Sequence, residues 1–176
     1  MEGVWNDEPR LRIGFNRESF GRNPKNQRRH QSLAVNGSNI VAPFRTSLLA
    51  LAYAELGQFD DAWRCISQAM TLVETSKERW CEAEINRIAG EIALMSPQRD
   101  QMKAEGYFDG ALTLARQQQT KSWELRAAMS LARLWRDQGK VQQARELLVP
   151  VYRWFTEGFD THDLKEAKVL LEALAA

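Results

Sequence analysis

The sequence has little cysteine and little histidine, with two of each among its 176 residues. Cys65 and Cys81 are too few for a disulfide framework, and neither lies at metal-ligand spacing from a histidine. Long hydrophobic runs are also missing, since no apolar stretch approaches the roughly 18 residues that a membrane helix needs. The sequence therefore predicts no disulfide-stabilised scaffold, no metal site and no membrane partner.

An excess of charge of one sign is absent as well. The chain has 24 Lys and Arg against 23 Asp and Glu, a formal net charge of +1. This balance disfavours both a broadly basic nucleic-acid binder and an acidic disordered chain. The first residues include Glu2, Asp7 and Glu8 and lack the charged-then-apolar pattern of a secretory signal, so we expect a cytoplasmic protein.

Sequence motifs for catalysis and cofactor binding are missing too. The chain has no Gly-x-x-x-x-Gly-Lys phosphate loop and no Gly-x-Gly-x-x-Gly motif. His30 and His162 have no neighbouring ligand residues, and no base accompanies either cysteine; Cys81 is expected to be partly exposed. We therefore expect no catalytic residue and no cofactor, and an enzyme is the least favoured class of function.

Composition divides the chain into two segments. Residues 1–42 hold seven Lys and Arg against four acids and are rich in Asn, Gly, Gln and Ser. Their few apolar residues offer little burial to offset the entropy of ordering, so this slightly basic segment is predicted to be largely irregular or disordered. Residues 43–176 instead show apolar residues at helical spacing, without the two-residue alternation of strands, and predict an all-α domain.

Turn and cap residues divide this domain into seven predicted helices. Gly57 and Gly139 are expected to end helices in the left-handed conformation that glycine adopts without strain. Asp60, Ser122 and either Asp160 or Thr161 are candidate N-caps, and Thr75 with Glu78 has the spacing of a capping box.

Small and large residues recur in register along the domain. The recurring sets are Ala62, Ile66 and Ala69; Ala104, Phe108 and Ala111; and Ala144, Leu148 and Val151. Successive sets are 42 and 40 residues apart, which indicates stacked helix hairpins whose apolar faces are buried by their neighbours. The predicted hairpins span residues 43–79, 80–121 and 122–158, and a terminal capping helix spans residues 160–175.

The first helices repeat as well, with Leu49, Ala50 and Tyr53 matched by Leu131, Ala132 and Trp135. Together with the Ala-x-x-x-Phe-x-x-Ala pattern, these residues resemble the tetratricopeptide repeat. That resemblance implies an α-α superhelix that binds a protein or peptide in a concave groove. The stretch from Lys121 to Trp135 also resembles the C-terminal repeat regions of large bacterial signalling ATPases and adenylate-cyclase-type regulators.

The resemblance places candidate groove residues on the first helix of each hairpin. These are Phe44, Ser47 and Leu51; Glu84, Arg87 and Glu91; and Arg126, Met129, Arg133 and Arg136. The first set is mostly apolar and the last is basic, which suits a peptide with an apolar anchor and an acidic end. Alternatively, the arginines pair across helices with acids of the preceding first helix, foremost Glu91 and then Glu84.

Two functions remain open at this point. The favoured one is a non-catalytic protein-interaction module of bacterial signalling. The alternative is a regulatory segment, derived from a larger ATPase or cyclase, that associates with another copy of itself. Its basis is the apolar end of the stack, predicted at Phe44, which either residues 1–42 or a partner would need to cover.

Overall fold

A computed structural model describes residues 40–175 of the chain. These residues form seven helices and no strand, which confirms the all-α prediction for this part of the protein. The helices are α1 (Ala42–Glu55), α2 (Phe59–Ser76), α3 (Glu82–Met95), α4 (Gln101–Gln117), α5 (Lys121–Asp137), α6 (Val141–Arg153) and α7 (His162–Ala173). The predicted irregular segment lies outside the described residues except for its last three, where a turn at residues 40–41 leads into α1.

Two glycines end the turns of the first and third helix pairs as predicted. Gly57 has φ +74° and Gly139 has φ +78°, both in the left-handed region where a Cβ atom introduces strain. Each follows directly on the last turn of its helix, so α1 and α5 reverse sharply into α2 and α6. These short turns bring sequential helices side by side.

The predicted capping box at Thr75 and Glu78 is wrong. Thr75 lies within the last turn of α2, where its hydroxyl donates to the Thr71 carbonyl oxygen at 2.7 Å. Lys77 then ends the helix with φ 62°, and the next helix begins at Glu82. Ser and Thr hydroxyls often bond back to the preceding turn in this way, so the motif spacing alone did not mark a helix start.

Of the other predicted N-caps, two are wrong and one holds its position without a side-chain bond to the helix. α2 begins one residue before Asp60, and α5 begins one residue before Ser122, so neither residue is the N-cap. Thr161 is the N-cap residue of α7, as one of the two alternatives predicted, but its hydroxyl donates to the Gly158 carbonyl oxygen and accepts no bond from a helix N–H. Asp100, which the sequence did not single out, accepts a bond from a first-turn N–H of α4.

The helices pack as pairs and as one continuous row. α1 packs on α2, α3 on α4 and α5 on α6, while α7 packs on both α5 and α6. The odd-numbered helices also contact each other in sequence, from α1 to α3, α5 and α7. By contrast, no Cα atoms of α2, α4 and α6 approach one another within 8 Å over the described chain, although the Trp63 and Tyr107 side chains stack between α2 and α4. The odd helices thus form the more closely spaced row.

Small residues stand where the paired helices approach most closely. Ala50 and Ala132, which recur in the sequence, are fully buried, and Gly90 is buried at the corresponding place in α3. Gly90 lies directly under the ring of Phe108, the largest fully buried side chain of the described domain. The alternation of small and large residues therefore holds the hairpins together.

Both cysteines are buried, so the predicted partial exposure of Cys81 is wrong. Cys81 stands directly before α3 and belongs to the hydrophobic core shared by α1, α2 and α3. Burial raises the pKa of the Cys65 and Cys81 thiols, which disfavours the reactive thiolate.

A buried carboxylate connects the end of α4 to the start of α5. Glu124 accepts hydrogen bonds from Arg116 Nε at 3.0 Å and from Lys121 Nζ at 2.6 Å. Burial alone would raise the pKa of Glu124, but the bonds and charges of Lys121 and Arg116 outweigh it and hold the pKa below its ordinary value of 4.5.

This lowered pKa predicts a defined loss of stability in acid. The folded state binds fewer protons than the unfolded state, so the contribution of Glu124 is fully present above pH 4.5 and is lost as the pH falls through the lower folded pKa. The Glu124→Gln variant should be less stable than the parent near neutral pH, and the difference should shrink below pH 4.5. Urea unfolding of both proteins across this range measures the effect, and a difference that does not vary with pH would contradict it.

Candidate interaction face

The candidate groove residues all lie on α1, α3 and α5, in the row of odd helices. We call the side of the row of α1, α3, α5 and α7 that carries the exposed candidate groove residues the odd-helix face. Six of the ten candidates are partly or fully exposed there, namely Phe44, Leu51, Glu91, Arg126, Arg133 and Arg136. This face is therefore the candidate interaction surface.

The other four candidates are buried and are corrected here. They are Ser47, Glu84, Arg87 and Met129. The repeat pattern of the sequence predicted that these positions line an open groove. Neighbouring odd helices instead pack directly on each other and cover them. Ser47 donates to the Phe44 carbonyl oxygen at 2.7 Å, and Met129 belongs to the hydrophobic core. None of the four can contact a ligand without rearrangement.

Glu84 is the centre of a buried ionic network between α3 and α5. Its side chain is 1% exposed and accepts two bonds from the Arg87 guanidinium, at 2.9 Å and 2.8 Å. Arg126 of α5 reaches the same carboxylate, with Nη2 2.9 Å from Oε1. Two guanidiniums on one carboxylate thus join consecutive odd helices.

Arg87 extends the network along α3. Its Nη1 lies 3.1 Å from Oε1 of Glu91, and that oxygen also accepts a bond from the Ser130 hydroxyl at 2.6 Å. Burial alone would lower the pKa of Arg87, but its hydrogen bond to Glu84 and the charges of Glu84, Glu91 and Asp163 raise the pKa above its ordinary value. The guanidinium therefore stays charged inside the network.

The remaining arginines of the face have acidic partners of their own. Arg133 Nη2 lies 2.9 Å from Glu166 of α7, and Arg136 Nη2 lies 2.9 Å from the adjacent Asp137. The prediction that Glu91 neutralises the α5 arginines is wrong, because Glu91 pairs with Arg87 on its own helix. The second acid of that prediction, Glu84, does pair with Arg126 across the two helices. The basic set of α5 is thus compensated by acids, and it does not form a uniformly positive patch.

Aromatic side chains form one end of the odd-helix face. The ring of Phe44 lies 5.7 Å from that of Trp80 and 6.1 Å from that of Trp123. Arg126 stands over the Trp123 ring, with its guanidinium carbon 5.4 Å from the ring centroid. All three aromatic rings are half-buried, so this cluster offers an apolar and partly accessible surface beside the ionic network.

Sequence reasoning missed several residues of this face. The candidate groove residues do not include Trp80, Trp123, Ser130 or Glu166. Treating the terminal helix as another first helix would have directed attention to α7, because α7 packs on α5 as α5 packs on α3. The pairing partners of the arginines follow from that packing.

Two open cavities lie away from these residues. One cavity of about 610 Å³ lies between the turns that follow α1 and α3, beside Trp63. The ammonium nitrogen of Lys103 lies over the Trp63 ring, 3.9 Å from its centroid. The other, of about 480 Å³, adjoins Trp135, whose indole N–H donates to Glu105 at 2.7 Å. The residues that line the two cavities include no histidine and no cysteine.

The described residues contain no cluster of three or more His, Cys, Asp or Glu side chains that could hold a metal ion. Between residues 40 and 175, no helix combines the length and the apolar character needed to cross a bilayer. No protein-family model matches the chain, and comparison with curated proteins found no significant match.

Proposed function

We propose that the chain is a non-catalytic protein-interaction module with a tetratricopeptide-like superhelix. The closer spacing of the odd helices supports this interpretation, because a row of helices in mutual contact lies on the inside of a curved stack. The odd-helix face would then line the concave groove, where the resembling family holds its ligands. We place the protein in the cytoplasm and, from the resemblance of residues 121–135, in bacterial signalling.

The observation that carries this proposal is the juxtaposition of accessible aromatic surface with charged side chains. Phe44 and Trp123 offer a partly accessible apolar surface, and Leu51, two turns further along the same side of α1, is also half-buried. Arg126 and Arg133 extend from this cluster along α5. A peptide or protein segment with an apolar anchor followed by an acidic side chain matches that order.

The two charged positions differ in how readily they would accept an acidic ligand. The Arg133 side chain is 39% exposed and its partner Glu166 is 44% exposed, so this ion pair is screened and contributes little to folding stability. Arg126 instead bonds to buried Glu84 and is held in place by the network. We therefore assign Arg133 as the arginine that exchanges Glu166 for an acidic group of the ligand.

We expect the Arg133→Glu, Arg136→Glu double variant to fold like the parent and to lose peptide binding. Both ion pairs that it removes are exposed, whereas the ligand would meet two reversed charges. Phage-displayed random peptides selected on the parent chain provide the probe, and binding of a selected peptide is measured by fluorescence anisotropy. Affinity for the parent should fall as salt rises, because exposed charge pairs are screened over about 8 Å at physiological ionic strength.

Arg64→Glu is the matched control, because Arg64 is an exposed arginine of α2 that pairs with Asp61 outside the odd-helix face. This variant should bind the selected peptides as the parent does. If the double variant keeps that affinity, the odd-helix face is not the binding site. If the double variant unfolds, the two arginines belong to the structural network and the assignment is overturned.

A further inference from the structure

An apolar stripe runs along the outer side of α1 and of the turns that flank it. It comprises Val41, Leu48, Leu49, Ala52 and Leu56, which are all exposed, and we call it the α1 stripe. Leu48, Leu49 and Leu56 have 44%, 47% and 72% of their surface exposed. At 100° per residue, the five side chains fall within an arc of about 100°, so they form one continuous surface.

The opposite end of the helical stack has a different surface. The exposed side of α7 is mostly charged, with Lys165, Glu166, Lys168 and Glu172 around a single large apolar residue, Val169. A terminal helix of a repeat domain needs such a polar outer face to remain soluble. Among the described helices, α7 meets this requirement and α1 does not, so the α1 stripe is the apolar surface that is left uncovered in this part of the chain.

Phe44 is not the exposed end of the stack that the sequence predicts. It is half-buried between Trp80 and Trp123, on the side of α1 that faces α3. Around the axis of α1, the centre of the α1 stripe lies about 80° to 100° away from Phe44. The odd-helix face and the α1 stripe are therefore separate surfaces. Covering the stripe would leave the aromatic cluster open.

Two charges on α1 indicate what covers the stripe. Arg45 and Glu55 are exposed and lie within or beside the same arc. They are ten residues apart, or about 15 Å along the helix axis, so they cannot pair with each other within one chain. In two antiparallel copies of α1 related by a two-fold axis at the level of Ala50, Arg45 of each copy faces Glu55 of the other.

We propose that a second copy of this chain docks on the α1 stripe in an antiparallel, two-fold arrangement. The same axis places Leu48 opposite Ala52 of the second copy, and this large-against-small contact lets the helices approach closely. A parallel arrangement would instead place Arg45 opposite itself. In the antiparallel dimer, each copy buries the α1 stripe of the other, and Arg45 pairs with Glu55. The two-fold axis makes each of these contacts twice.

Charge reversal in the full chain tests this arrangement. Sedimentation velocity over a concentration series should show the parent shifting from monomer to dimer. Arg45→Glu and Glu55→Arg should each raise the dimer dissociation constant by about tenfold or more, because each variant creates two like-charge contacts per dimer. Both positions are exposed, so at concentrations where the parent is monomeric both variants should melt like the parent.

Mixing the two variants distinguishes pairing between chains from any other effect. In a mixed dimer, the glutamate introduced at position 45 of one chain faces the arginine introduced at position 55 of the other. The unchanged Glu55 of the first chain then faces the unchanged Arg45 of the second. All contacts are complementary in this mixed dimer, so association should return.

This experiment has its own control and contradicting results. Val169→Glu, on the opposite end of the stack, should leave the dissociation constant unchanged. A parent that stays monomeric at every concentration would overturn the proposal, with another protein or residues 1–39 as the remaining occupants of the stripe. A dimer that is insensitive to both reversals, with no gain on mixing, would overturn it as well.

Discussion

The Phe108→Ala variant should lose about 3–5 kcal/mol of its free energy of unfolding, the range for removing a large buried aromatic side chain. Phe108 is fully buried in the core that joins the second and third hairpins. Its ring lies directly on the backbone of α3, so truncation opens a cavity between α3 and α4 that these helices cannot close without moving together.

Gly90 supplies the other half of this contact. A Cβ atom at position 90 would come within 3 Å of three atoms of the Phe108 ring, including Cδ1 at 2.7 Å. We expect Gly90→Ala to destabilise the parent by about 1–3 kcal/mol through overpacking, despite the better helix propensity of alanine.

The effect of Gly90→Ala should change sign in the Phe108→Ala background. There the new methyl group enters space that the ring has left, and alanine in a helix interior is favoured over glycine by about 0.5–1 kcal/mol. Urea unfolding of the parent, both single variants and the double variant measures this coupling.

Gly106→Ala is the matched control within α4. A Cβ atom at Gly106 would have no neighbour within 4 Å, so this variant should be stabilised by about 0.5–1 kcal/mol. Equal effects of Gly90→Ala with and without the Phe108 ring would show that the close helix approach is not what position 90 requires.

The Glu84→Ala variant should lose about 3–5 kcal/mol of its free energy of unfolding, which is the cost of removing one partner of a buried ion pair. Glu84 is 1% exposed and balances two guanidiniums, one on α3 and one on α5. Its removal leaves Arg87 buried with a single remaining carboxylate partner, Glu91. Arg126 is less affected, because its side chain is 32% exposed and can turn toward solvent.

A double-mutant cycle separates the pairing from the packing of Glu84. Removing Arg87 as well should cost less than the sum of the two single variants, because no unpaired buried charge then remains. Urea unfolding at neutral pH measures all four proteins. If Glu84→Ala unfolds at the same urea concentration as the parent, the network does not hold α3 against α5.

The sequence determined the helical architecture because its signals are local. The glycines at positions 57 and 139 specify left-handed helix ends, and the helical spacing of apolar residues defines the helices between them. The recurring small residues at positions 50 and 132 marked close helix contacts, but the pattern did not identify Phe108 as the neighbour of Gly90. Cap residues were less informative, since Thr75 and Thr161 bond back to carbonyl groups.

The composition of the interaction face was decided by the tertiary structure. Whether Ser47 or Met129 faces solvent depends on how closely the next odd helix approaches, a distance that no local pattern encodes. The arginines of α5 form a basic set along the chain, yet they meet Glu84 and Glu166 from helices distant in sequence. Ion pairing and burial depend on which helices become neighbours, and that arrangement exists only once the stack has formed.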